Sequence, residues 1–247
     1  MTSDLPLLAA ILVIVLIAGM VKGITGFGFV LVAAPLMTIF IDPKMVVPAI
    51  IIQTLPTSVP ILLHAHHHLR IRRMWLMALA GMAGVPVGTL VLLVLDASLL
   101  RLLIGTVVTM VAVVMMLGFR KPLQHELMAS VPVGFVGGML CASTGMSGPP
   151  VIFFYTNQRL NTREFRANIV AYFVMLDIVT LSSFIIAGLL PGETVSFSVQ
   201  LLPVSLVGAI GGIVVNRWVQ EMLFRRIALV LILLAGIMSA AMGISGL

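Results

Sequence analysis

The stretch "LPLLAAILVIVLIAGM", Leu5 to Met20, has no polar face at any helical period. A helix at the surface of a soluble protein needs such a face. The run "IALVLILLAGIMSAAM", residues 227–242, repeats the pattern. Hydrophobic residues make up 61% of the 247 and charged residues only 9%, too few to cover so apolar a core in water. The chain therefore reads as an all-α integral membrane protein. The first run lacks a basic leader and continues directly into further apolar sequence, so it reads as a mature span and not as a cleaved signal.

Apolar stretches fall at 5–21, 29–40, 45–63, 74–95, 99–117, 127–142, 149–157, 168–189, 197–216 and 226–244. Several approach the ~20 residues that cross a bilayer. The pairs 5–21/29–40 and 127–142/149–157 contain members too short to cross. Each is joined by a glycine-rich break, "KGITGFGF" in the first and "STGMSGPP" in the second. Thr25-Gly26-Phe27 aligns with Thr144-Gly145-Met146 at an offset of 119. Gly84, Gly88 and Arg101 align with Gly208, Gly212 and Arg225 at an offset of 124. The chain thus divides into two copies of one unit, 1–120 and 121–247, each beginning with a glycine-broken short helix pair.

The net charge of +6 comes from short basic clusters between apolar spans, which is how topology is encoded and not how nucleic acid is bound. Following the spans, Arg70/Arg72/Arg73, Arg120/Lys121, Arg159/Arg163/Arg166 and Arg217/Arg225/Arg226 fall on one side, the expected cytoplasmic side. Lys44 and Arg101 fall opposite, with Asp42, Asp96 and Glu193. Both termini are then expected in the periplasm of a bacterial inner membrane. The matching loops "HAHHHLRIRR" and "LPGETVS" lie on opposite sides, so the repeat is expected to be inverted, with two re-entrant tips meeting near the midplane. Secondary transporters commonly place their substrate there.

Irregular backbone at membrane depth is tolerated where it is buried in protein or lines a polar cavity. If 29–40 and 149–157 are half-helices, their N-termini offer free N–H groups and partial positive charge to an anion. Pro149 and Pro150 suit a helix start. The expected substrate-binding residues are Thr25, Gly26, Phe27, Gly28, Gln53, Ser143, Thr144, Gly145, Met146, Ser147, Gly148 and Tyr172. Gln53 and Tyr172 occupy matching positions in the two copies, and Asn168 is a weaker candidate. Gly81, Gly84, Gly88, Gly208, Gly211 and Gly212 read instead as close-packing positions.

Asp177 is the only carboxylate inside an expected span, which marks it as a candidate for proton coupling. Its competing role is a hydrogen-bonding brace. Arg166 lies three turns earlier on nearly the same face, and Lys22 lies beside the first tip; both are candidate charges for the site. "NTRE" reads as a helix start capped by Asn161, with Glu164 three residues on. Lys22 could equally snorkel to the interface.

The signatures "GITGFGFVLVAAPLM", "GGMLCASTGMSGPPVIFFY" and "LNTREFRANIVAYFVMLDIV", with the glycine-rich ends of both halves, resemble the sulfite exporter TauE/SafE family. The resemblance covers essentially the whole chain. It implies an inner-membrane anion transporter, in this family often for sulfite, sulfoacetate or related organosulfur compounds. Where family members typically carry richer glycine runs, this chain has Phe27 and Phe29 in one tip and Met146 and Ser147 in the other. Those bulkier residues point to a different or more apolar substrate.

Competing readings use other residues. A metal-ion carrier would use "HAHHH", His64 to His68, with Asp177, but three consecutive histidines cannot share one helix face. The run reads as an interfacial basic loop, and no metal site is expected. An intramembrane serine hydrolase would use Ser147 of "GMSG", but such chemistry needs a base in reach, and no histidine follows His125. No enzyme activity, cofactor or nucleotide-binding loop is expected. Cys141 reads as a small packing residue. The expected partners are a small anion, protons and lipid; the sequence leaves a homo-oligomer open.

Overall fold

The computed structural model describes residues 5–65, 67, 71–117, 126–157, 162–215 and 221–246. His66, His68, Arg70, Arg120, Lys121, His125, Arg159, Asn161 and Arg217 lie outside them. The expected cap by Asn161 therefore lies outside the described residues, as do His66 and His68 of the histidine run.

The described residues form helices and connecting turns. In chain order these are α1 Leu5–Thr25, α2 Phe29–Met37, α3 Pro43–Ala65, α4 Ile71–Val94, α5 Ala97–Leu117, α6 Glu126–Thr144, α7 Gly148–Asn157, α8 Thr162–Ile186, α9 Gly192–Val215 and α10 Glu221–Ser245. Each corresponds to one apolar stretch of the sequence. Six segments are long and apolar enough to cross a membrane: Pro6–Thr25, Pro43–Leu63, Met74–Val94, Ala97–Leu117, Glu164–Ile186 and Gly192–Val215. Two shorter apolar helical segments are Met128–Thr144 and Val230–Ser245. Large apolar side chains such as Leu63, Val94, Ile186 and Val207 lie exposed on the outer faces, as contact with lipid requires.

Helices α2 and α7, of 9 and 10 residues, are about 14–15 Å long at 1.5 Å per residue. That is half a hydrocarbon core of ~30 Å.

Helix pairing follows the small residues. α1 packs on α9, α4 on α6 and α5 on α10, while α3 packs on α8 and α9, and α8 on α3 and α4. Exchanging α1–α5 for α6–α10 maps this set of pairings onto itself: α1/α9 onto α4/α6, α3/α9 onto α4/α8, and α5/α10 and α3/α8 each onto themselves. A Cβ added at Gly19 would lie 2.6 Å from the Ser205 carbonyl oxygen, and one at Gly88 would lie 2.9 Å from Ala142 Cβ. These glycines allow the backbones of α1/α9 and α4/α6 to touch, as in small-residue membrane interfaces. Gly81, Gly84, Gly208 and Gly212 serve the same contacts. Gly211 does not: a Cβ there would meet nothing within 4 Å, because it points away from α1.

Candidate functional site

The two glycine-rich breaks have the same local geometry. The Gly26 N–H bonds the Lys22 carbonyl at 2.7 Å, and the Gly145 N–H bonds the Cys141 carbonyl at 2.9 Å. Both glycines adopt positive φ, 85° and 78°. This is a left-handed helix end, which a side chain with a Cβ disfavours. After each break a half-helix begins, at Phe29 and at Gly148.

The tips meet at a small cavity of about 30 Å³. Phe27, Gly28 and the first turn of α2 line one wall, and Gly145 to Gly148 with Ile152 line the other. Lys22, Thr54, Phe173 and Asp177 complete it. Both half-helices therefore turn their N-termini to one space. First-turn N–H groups have no intrahelical acceptor, so α2 presents free donors. In the first turn of α7, Pro149 and Pro150 leave only Gly148 and Val151 with an N–H. Both walls present the positive end of a helix dipole.

Two buried charges adjoin this cavity, Lys22 and Asp177, each 3% exposed. Lys22 lies in the last turn of α1, where the dipole favours a cation. Its ammonium donates to the Thr54 carbonyl at 2.6 Å, to Thr57 Oγ1 at 3.0 Å and to Ser58 Oγ at 2.8 Å. It also lies 6.0 Å from the centroid of the Phe29 ring, within cation–π range. Asp177 Oδ2 accepts from Thr54 Oγ1 at 2.8 Å. The Cys141 thiol lies 3.9 Å from Asp177 Oδ1 and accepts from Thr180 Oγ1 at 3.6 Å. Thr54 thus links the two charges, through its carbonyl to one and its hydroxyl to the other.

Of the residues singled out in the sequence, Lys22, Phe27, Gly28, Gly145, Met146, Ser147, Gly148 and Asp177 line the cavity. The remaining candidates lie elsewhere. Thr25 Oγ1 bonds the Val21 carbonyl at 2.8 Å and also the Phe27 carbonyl, and it accepts from the Phe27 N–H at 3.2 Å. The Ser143 and Thr144 hydroxyls donate to the Met139 and Leu140 carbonyls, each at 2.8 Å. These hydroxyls take local bonds at the helix ends, and none of the three residues lines the cavity. The Tyr172 hydroxyl donates to the Gly134 carbonyl at 3.2 Å, between α4, α6 and α8. Gln53 is fully buried, with neither its amide nitrogen nor its oxygen bonded to protein.

Arg166 is not on the cavity wall. Its guanidinium donates to the Gly23 carbonyl near the end of α1, where α1 leaves carbonyls unpaired. Its aliphatic stem packs on Gly26, whose added Cβ would lie 2.8 Å from Arg166 Cγ. Phe165 meets the Phe27 ring edge-on at 6.4 Å. The start of α8 therefore braces the first tip, and the cation facing Asp177 is Lys22.

Thr54, Phe29, Val30, Leu31, Ile152 and Phe173 also line the site and were not singled out beforehand as ligand contacts. Thr54 had a legible signal: Thr54, Thr57 and Ser58 recur at i, i+3 and i+4 in an apolar span, a polar stripe on one helix face.

A family model, sulfite exporter TauE/SafE, matches residues 11–239. The chain belongs to this family. The match spans both breaks, the cavity and both charges, so the site lies within the family's common region. The family is one of membrane sulfite exporters, and this chain is a multi-pass membrane protein. No curated protein and no solved structure matches the chain. Among the described residues no cluster of three or more His, Cys, Asp or Glu side chains is placed to hold a metal.

Proposed function

We propose that the protein is a secondary transporter that exports small oxyanions of the sulfite class, binding them between the two broken-helix tips and coupling their movement to protons through Asp177. The carrying observation is the convergence of two half-helix N-termini on one cavity that also holds a buried cation. Helix N-termini bind anions through backbone N–H groups and the dipole. The Lys22 ammonium is engaged by three oxygens of α3, so it acts on the substrate through its charge and not as a hydrogen-bond donor.

The cavity of about 30 Å³ has space of the order of one or two waters. That matches a compact oxyanion better than an extended sulfonate. Phe27, Phe29, Ile152 and Phe173 wall it with apolar surface, which strengthens each electrostatic contact inside.

Asp177 supplies the coupling. A carboxylate and an anionic substrate in one cavity repel, so the anion binds more tightly when Asp177 carries a proton. Binding then takes up a proton, and emptying the cavity releases it. Alternating access follows if 1–120 and 121–247 are inverted repeats that rock about the shared tips. In that reading the basic loops face the cytoplasm of a bacterial inner membrane and both termini face the periplasm.

The test is flux in proteoliposomes. Labelled sulfite should accumulate in response to an imposed pH difference, and unlabelled sulfite should compete better than longer sulfonates. No sulfite flux and no competition by any oxyanion would remove the proposal.

A further inference from the structure

The surroundings of Lys22 have the form of a cation cage. Three oxygens of α3 lie 2.6, 2.8 and 3.0 Å from its nitrogen. Each hydroxyl in that set already donates its proton elsewhere. Thr57 Oγ1 donates to the Gln53 carbonyl at 2.7 Å, and Ser58 Oγ donates to the Thr54 carbonyl at 2.7 Å. A hydroxyl whose proton is engaged can offer only lone pairs, so all three oxygens are fixed as acceptors. The Phe29 ring and the Asp177 carboxylate add negative potential from α2 and α8. All three α3 residues and Asp177 are buried. The cage is built by α3, while the cation in it arrives from α1.

We propose that this cage is a monovalent-cation site, that the Lys22 ammonium is its tethered occupant, and that removing the Lys22 side chain opens it to a free monovalent cation. Donor–acceptor distances near 2.8 Å are those of an ammonium hydrogen-bonded to oxygens, so free ammonium is the first ligand expected, with potassium and sodium behind it. Transporters with broken helices hold coupling cations on carbonyl and hydroxyl oxygens in this way. Here the cation is covalently attached and cannot leave. Transport by the native chain is therefore independent of sodium and potassium.

The other half of the chain supports the assignment. At the 119-residue offset that superposes the two glycine breaks, Lys22 corresponds to Cys141 and Ser58 to Asp177. The first pair is cation and hydroxyl, at 2.8 Å. The second is thiol and carboxylate, at 3.9 Å. The aligned position thus carries an amine in one half and a thiol in the other, and Asp177 is the carboxylate that faces both.

The cation inference goes beyond the anion reading and stands without it. Its test is the melting temperature of purified Lys22→Ala in chloride salts of ammonium, potassium, sodium and choline at equal ionic strength. A cation that binds only the folded protein raises its melting temperature, by roughly 5 °C at saturating concentration. The expected result is a shift in ammonium over choline for Lys22→Ala and none for the native chain. The shift should vanish in Lys22→Ala/Thr57→Ala/Ser58→Ala. In proteoliposomes Lys22→Ala should lose transport in choline and regain it in ammonium. Absence of any cation-specific stabilisation of Lys22→Ala and of Lys22→Ser overturns the inference, including the case in which neither folds in any of the salts. An equal shift in the native chain overturns it too. If no variant and no native chain moves an anion, the transport proposal fails, and the melting-temperature result still decides the cation site.

Discussion

Lys22 and Asp177, on helices separated by more than half the chain, share one residue: Thr54 accepts from the Lys22 ammonium at 2.6 Å and donates to the Asp177 carboxylate at 2.8 Å. A buried charge is tolerated when it is paired and hydrogen-bonded, and removing one member strands the other. The pair is expected to be coupled in stability. Lys22→Met and Asp177→Asn should each destabilise the protein by roughly 3 kcal/mol. The double variant should lose less than the sum of the two, by about 1 kcal/mol or more. Detergent unfolding of the four proteins measures this; strict additivity would show that the two charges do not interact.

Asp177→Asn also separates coupling from bracing. Asparagine keeps an acceptor for Thr54 and carries no titrating proton. In proteoliposomes this variant should still exchange substrate down its own gradient while losing the response to an imposed pH difference. Full pH-driven transport by Asp177→Asn would assign Asp177 a bracing role.

The second tip gives a backbone prediction. Gly145 holds φ 78°, and a Cβ there would lie 3.1 Å from Val30 Cγ1 across the cavity. Gly145→Val should abolish transport, with strain of about 1–3 kcal/mol that leaves protein in the membrane. Gly26→Val/Gly145→Val with normal flux would mean that the tips are packing features alone.

Gly208 and Gly211 form a matched pair on α9. An added Cβ at Gly208 would lie 2.5 Å from the Leu16 carbonyl oxygen, while at Gly211 it meets nothing. Gly208→Val should lower the thermal midpoint markedly and Gly211→Val should leave it within about 0.5 kcal/mol of the native value. Equal effects of the two would contradict the α1/α9 contact.

Much of this arrangement was legible in the sequence. The helices are, because each contains one of the mostly apolar stretches of the sequence. The two breaks are, because "KGITGFGF" and "STGMSGPP" each crowd two or more glycines and a hydroxyl residue into eight positions beside an apolar segment too short to cross. The partner of Asp177 was not. Helical spacing brings Arg166 onto nearly the same face of α8, but one rigid helix keeps the two residues three turns apart. The cation that meets Asp177 comes from α1 through a long-range contact that no local period encodes. Thr25, Ser143 and Thr144 are absent from the cavity wall for a different reason. A hydroxyl on a helix reaches the carbonyl one turn back, and these three take that local bond. Gly211 shares the spacing of Gly208 and Gly212, yet only a three-dimensional face distinguishes it.

Orientation is open to a direct check. A reporter fused after Leu247 should be active only if it is a type that works in the periplasm. Activity of a cytoplasm-only reporter at that junction would overturn the expected orientation, on which the inverted-repeat reading of 1–120 and 121–247 was built.

The central claim is that one small oxyanion binds at the cavity between the two tips. Titration calorimetry of the purified native chain with sulfite, alongside Ser147→Val, measures it most directly. Ser147 lines the cavity at the start of α7, and valine there places apolar bulk where the anion would sit. The expected result is saturable binding of one sulfite per chain by the native protein and its loss in a folded Ser147→Val. Sulfite binding of equal affinity in both proteins, or none in the native chain, would contradict the account.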